Sequence, residues 1–180
     1  MAEIKSSLEL AMERTKKIGI SEKEREEIKQ KEILRKVEAL FYRYREGHLP
    51  LSELLRELDR MDEKTRSLTQ EGLLSRWIDA LSLNDEDERL IKGVESLKNR
   101  EAGEVRKAFH DLVSRYRREK ERVKEQVKAE SLEALRREGV YGSAVDPNIE
   151  GGEIWKRESE KLDHSFGMKL EEIKDRLRSL

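Results

Sequence analysis

His110, Asp111 and Ser114 are the residue types of a base, an orienting acid and a nucleophile, and they stand within five positions of one another. On a helix, adjacent residues point about 100° apart. Asp111 therefore cannot orient the His110 imidazole in the way nucleophilic catalysis requires, and the spacing predicts a packing or surface role. His48 and His164 are isolated, and with no HxxxH pair and no cysteine the local spacing of zinc ligands is absent. Asp146, Asn148, Glu150 and Gly151 match the opening D-x-N-x-E-G of a calcium loop. The twelfth position of such a loop needs a bidentate carboxylate. Here it is Arg157, with Glu158 one residue late and Pro147 at the second position, so the pattern predicts a turn leading into a helix. Gly139, Gly142, Gly151 and Gly152 do not form a phosphate cradle, and Ser143 in YGSAV lacks the flanking pattern of a nucleophile elbow. No catalytic residue, metal, cofactor or small-molecule substrate is expected, and the chain reads as a non-enzyme.

Two groups of residues suggest binding. The segment Gly139 to Trp155 interrupts densely charged, helix-patterned sequence with several glycines, one of the chain's two prolines and scattered apolar residues. Ordered glycine-rich connections often carry recognition, and Tyr141, Ser143, Asp146, Asn148 and Trp155 are its candidate contacts with a protein partner. Trp77 and Phe166 are further candidate aromatic anchors, with core packing as the competing fate of each. Arg115, Arg117, Arg118, Lys120 and Lys124, extended by Arg122 and Lys128, form a basic ridge able to follow a nucleic-acid backbone. Interleaved Glu119, Glu121 and Glu125 favour instead a solvated helix face.

The elements that must carry these residues follow from composition. Of the 180 residues, 44% are charged and 35% hydrophobic, with a net charge of −1. That is too little apolar surface for a thick spherical core, but enough for the seams between paired helices. Near-neutrality also counts against a general nucleic-acid binder, which carries a basic excess. The absence of cysteine suits a reducing compartment. Glu3, Glu9 and Glu13 interrupt the apolar residues of the first segment, and no later run is long enough to span a membrane. A soluble, cytoplasmic protein is expected.

Along the chain, helical spacing predicts an all-α fold. A first helix runs from Ser6 to Gly19, with Ile4, Leu8 and Met12 as its stripe. A second starts at Ser21, where Glu24 completes a capping-box spacing, and stops at Gly47. Short helices over Ser52–Met61, about Ser67–Leu83, and after an Asn84 cap hold the expected core of a head, including Leu54, Leu58, Leu73, Trp77, Ile78, Ile91 and Val94. A long helix over 102–138 is apolar near its start and poor beyond Arg117, mirroring the second helix. Antiparallel pairing of the two would join rich half to rich half and bring Glu22 and Glu26 to Lys120, Lys124 and Lys128. A last helix from Glu153 to Leu180 carries a seam broken by Gly167. The expected architecture is an elongated antiparallel hairpin or coiled-coil stalk (1–48 and 98–180) with a small helical head (49–97) and a packed C-terminal helix.

The start MAEIKSSLELAMERTKK, the loop GSAVDPN and the EIW that opens the last helix resemble a family of bacterial helical proteins with no assigned activity. That resemblance implies an all-helical fold and no catalytic residues. The sequence thus points to a structural or adaptor protein that binds a protein partner, with a homodimer as a further expectation. The alternative is a ribosome- or nucleic-acid-associated factor using the ridge from Arg115 to Lys128.

Overall fold

The computed structural model describes residues 21–85, 87–140, 142 and 145–180. The expected helix Ser6–Gly19 and the candidate contacts Tyr141 and Ser143 lie outside them. Among the described residues there are six α-helices and no strand: α1 (Glu22–Arg45), α2 (Leu51–Asp59), α3 (Glu63–Asp79), α4 (Glu88–Lys98), α5 (Gly103–Arg137) and α6 (Glu153–Ser179). The chain divides into two compact units, Met1–Gly72 and Leu73–Leu180, with the division inside α3.

In the first unit, α1 begins as its sequence predicts. The Ser21 hydroxyl accepts from the Glu24 amide at 3.2 Å, and the Glu24 carboxylate accepts from the Ser21 amide at 2.7 Å, closing both ends of a capping box. At the other end Gly47 takes φ 79°, the left-handed conformation that glycine adopts without a Cβ penalty. Residues 21–32 are all exposed, whereas Ile33, Val37, Leu40, Phe41 and Tyr44 are buried. The apolar gradient expected for this helix is present. A Cβ built on Gly72 would lie 2.9 Å from Val37 Cγ2, so α1 and α3 approach closely there. Arg43 reaches Glu57 of α2 at 3.3 Å.

Two helix starts differ from expectation. α3 begins at Glu63 rather than near Ser67, because Asp62 Oδ1 accepts from the Thr65 amide at 3.1 Å and caps the first turn. Bonds from the Thr65 hydroxyl and amide hold the Asp62 carboxyl below its usual range. The helix ends at Asp79 instead of Leu83. α4 is capped by Asp87, whose Oδ1 accepts from the Arg89 amide at 3.1 Å, and not by Asn84.

In the second unit, burial falls on Leu73, Trp77 and Ile78 of α3, on Leu90, Ile91 and Val94 of α4, and on the first half of α5. α4 ends in Asn99 at φ 49°, and Gly93 lets its backbone approach the Trp77 ring to within 2.8 Å of a would-be Cβ. α5 starts without a capping side chain of its own. Glu95 substitutes from α4: one carboxylate oxygen accepts from the Ala102 amide at 2.8 Å, and the other binds the Arg106 guanidinium. With 35 residues, α5 is on the order of 50 Å long. It buries Val105, Phe109, Leu112, Val113 and Tyr116 early and only Val127 later, as its composition predicts. Its C-terminus closes with the Val140 amide on the Leu135 carbonyl at 2.9 Å and Gly139 at φ 85°.

α6 packs antiparallel on α5. Tyr116 meets Asp163 and Phe166, while Lys124, two turns further along α5, meets Glu150 just before α6 begins. The far end of α6 is fixed by cations on helix termini. Lys174, 8% exposed, directs its Nζ to the Asp79 carbonyl at 3.3 Å. Arg178 binds the Asp79 carboxylate at 2.8 Å, and Lys98 donates to the Arg178 carbonyl at 2.6 Å. Positive charge at the C-terminal ends of α3, α4 and α6 complements their dipoles.

Candidate functional site

The face of α5 that looks toward α6 is built on a four-residue repeat: Tyr116, Lys120, Lys124 and Lys128. Each step of four advances about 40° around the helix, so the row starts in the apolar seam and climbs to its edge. Tyr116, buried at the start, donates its hydroxyl to Asp163 Oδ1 at 2.6 Å and stacks edge-on against Phe166 at 5.5 Å between ring centroids. Lys120 donates to the same hydroxyl at 3.1 Å and sits 5.2 Å from the ring centroid. Burial raises the Tyr116 pKa above its ordinary value, and the Asp163 acceptor reinforces the shift while Lys120 opposes it.

Further out the row meets the return segment between α5 and α6. Lys124 binds Glu150 at 2.9 Å and Lys128 binds Asp146 at 2.6 Å. The hydrogen bond from Lys124 holds the Glu150 carboxyl below its usual range and raises Lys124 in turn. Between the paired acids, Ile149 is 7% exposed and Pro147 is half-buried. The segment thus lies along α5 with acids outward to lysines and one aliphatic side chain inward. An open cleft of about 710 Å³ runs between them, lined also by Glu121, Glu125 and Asn148.

This arrangement redistributes the residues picked out by sequence. Asp146 and Glu150, the leading acids of the calcium-loop pattern, turn to lysine ammonium groups. The acids meeting Lys124 and Lys128 come from the return segment, whereas the sequence suggested Glu22 and Glu26. Asn148 is exposed and Trp155 half-buried. Trp77 belongs to the core at 0% exposure, and Phe166 packs on Tyr116.

The basic ridge does not form one face. Lys120 and Lys124 lean toward α6, whereas Arg115, Arg118 and Arg122 project from the opposite flank of α5 by the same 100° progression. Arg115 and Arg118 each donate from Nε to the carbonyl four residues earlier at 3.3 Å, and Arg122 pairs with Glu119. His110 and Asp111 are both exposed on α5, His164 is exposed on α6, and His48 is exposed in the turn after α1. Among the described residues no group of three or more His, Asp and Glu side chains is placed to hold a metal ion, and no helix is long and apolar enough to cross a membrane.

Sequence reasoning missed the cap supplied by Glu95 and the Tyr116–Asp163 bond. Neither has a local signature, because seven residues and a turn separate Glu95 from Ala102, and a whole helical reversal separates Tyr116 from Asp163. Comparison with protein-family models, curated proteins and solved structures gives no match to this chain. The class defined by the fold is therefore an all-α protein.

Proposed function

We propose that this protein is a non-enzymatic structural or adaptor protein, acting in the cytoplasm, that binds a protein partner through the return segment and the start of α6. Asp146, Asn148 and Trp155 are its described contact residues, with Tyr141 and Ser143 as further candidates. The observation that carries the reading is the return segment itself. It is held in a defined path along α5 by Ile149 and two ion pairs, yet it leaves Asn148 and the outer edges of Asp146 and Glu150 exposed. A preordered, exposed connection loses little conformational freedom on binding. The antiparallel hairpin stalk with a head at 49–97, and self-association into a homodimer, belong to the same reading.

The test is affinity capture with the full chain and with Asn148→Ala and Trp155→Ala variants, followed by titration of the captured protein with the purified chain. Loss of direct binding in the variants supports the reading. Equal retention by all three chains, or retention of nothing, overturns it, and solution mass measurement of the chain alone decides the homodimer.

A nucleic-acid role is the second reading, favoured by the exposure of Arg115, Arg117 and Arg118 along α5. It requires salt-sensitive RNA binding that falls when Arg117, Arg118 and Lys124 are replaced together.

A further inference from the structure

We propose that residues 145–150 are an ionic latch on α5, closed by Lys124 and Lys128 at low ionic strength and released by salt. The geometry is specific. The lysines stand four residues apart on α5, the acids stand four residues apart on the segment, and the two sets pair in antiparallel order, Lys124 with Glu150 and Lys128 with Asp146. The backbone bonds at the segment's ends are local: the Val145 amide to the Gly142 carbonyl at 3.2 Å, and the Gly152 amide to the Ile149 carbonyl at 2.9 Å. Ile149 is the one residue of 145–150 that is buried. The second half of α5 likewise buries only Val127.

Both pairs are well hydrated, with side-chain exposures of 38% and 68% for Lys124 and Glu150, and 47% and 78% for Lys128 and Asp146. Such pairs are screened by salt. Glu121 and Glu125 line the same cleft, so it gathers four acids around two lysines. Neutralising the lysines leaves Glu121 and Glu125 facing Asp146 and Glu150 across the cleft, and like charges then favour opening. The Tyr116 contact with Asp163 and Phe166 lies more than two helical turns away on α5 and does not depend on the lysine pairs. The segment can therefore lift while α5 and α6 stay packed. This inference does not depend on the identity of any partner, since it is tested on the chain alone.

The experiment places a nitroxide on the single cysteine of an Asn148→Cys chain and reads the relaxation it induces in the α5 amides from Lys124 to Lys128 between about 0.01 M and about 1 M sodium chloride, which shortens the screening length from about 30 Å to about 3 Å. That relaxation is expected to fall by about half or more with salt as the pairs are screened, while the amide shifts of Leu112 and Val113 stay unchanged. The Lys124→Gln, Lys128→Gln double variant should show the weak relaxation already at low salt and lose most of the salt response. Exchanging the partners, Lys124→Glu with Glu150→Lys, should restore strong relaxation at low salt. Salt-independent relaxation of 124–128 in the labelled chain overturns the proposal. So does a salt response of the Leu112 and Val113 amides, which would mean loosening of the whole helix pair.

Discussion

The Tyr116 hydroxyl donates to the Asp163 carboxylate at 2.6 Å, joining α5 to α6 at the point where the apolar seam meets the charged row. Tyr116→Phe keeps the ring against Phe166 and removes this bond together with the weaker one that the hydroxyl accepts from Lys120 at 3.1 Å. A loss of about 1–2 kcal/mol is expected, because a hydrogen bond to a charged acceptor contributes more than a neutral one. Denaturant unfolding of the two proteins at neutral pH measures it, and a difference near zero would show that water replaces the bond at no cost.

The same residue sets a limit at alkaline pH. Burial and the Asp163 acceptor raise the folded-state pKa of Tyr116 above its ordinary value. Its contribution is therefore complete below about pH 10, the unfolded value, and is lost as pH rises through the folded pKa. Tyr116→Phe should flatten this part of the stability profile above pH 10. An identical alkaline slope in both proteins would contradict the assignment.

At the start of α1, Ser21→Ala removes the hydroxyl that accepts the Glu24 amide and should cost about 1 kcal/mol. The Ser21 amide lowers the Glu24 pKa from the other side of the box. A depressed carboxyl stabilises the fold above its unfolded pKa of about 4.3 and loses that effect as pH falls through the folded value. Protection of the first-turn amides of α1 should accordingly drop in Ser21→Ala at neutral pH, and in the unmodified chain as the pH is taken below about 4. Unchanged protection of the Arg25 amide in both cases would show that the box is not formed in solution.

That box was legible in the sequence because its signals are three residues apart and belong to one helix. So was the stop at Gly47, and so was the fading of buried positions along α5. The Asp62 start of α3 was hidden because Glu63, Lys64 and Arg66 give no apolar period, and the buried residues of its first turns are Thr65 and Thr69. Thr69 satisfies its hydroxyl on the Thr65 carbonyl at 2.7 Å. The Asn84 cap was misplaced because several capping residues stand in succession, and the one that caps is set by where Leu90 and Ile91 must be buried. At the candidate site, sequence marked Asp146 and Glu150 as unusual and Lys124 and Lys128 as a ridge. It could not join them, because the pairing register depends on the path of the return segment.

Glu95 is the side chain that joins α4 to the start of α5, through the Ala102 amide and the Arg106 guanidinium together. Glu95→Ala leaves that amide and Arg106 without their acceptor, and Arg106 is only 35% exposed. A cost of about 2 kcal/mol is expected, at the level of a charged hydrogen bond lost in a partly buried setting. Glu95→Gln keeps one acceptor for the amide and should cost less. Equal destabilisation by both variants would locate the effect in the charge and not in the cap.

Two glycines in helices of the second unit make opposite predictions from one chemical change. A methyl group on Gly93 would stand 2.8 Å from the Cε3 and Cζ3 atoms of Trp77, a ring that is wholly buried. A rigid ring in a close-packed core cannot yield without moving its neighbours, so Gly93→Ala should destabilise by about 1–3 kcal/mol despite the better helix propensity of alanine. Gly167, inside α6, has nothing within 4 Å of its would-be Cβ. There alanine removes backbone freedom from the unfolded chain at no steric cost, and Gly167→Ala should stabilise by about 0.5–1 kcal/mol. Thermal and denaturant unfolding of both variants measures the pair. Stabilisation by Gly93→Ala would mean that α4 does not approach Trp77 as closely as described, and destabilisation by Gly167→Ala would mean that the outer face of α6 is covered in solution.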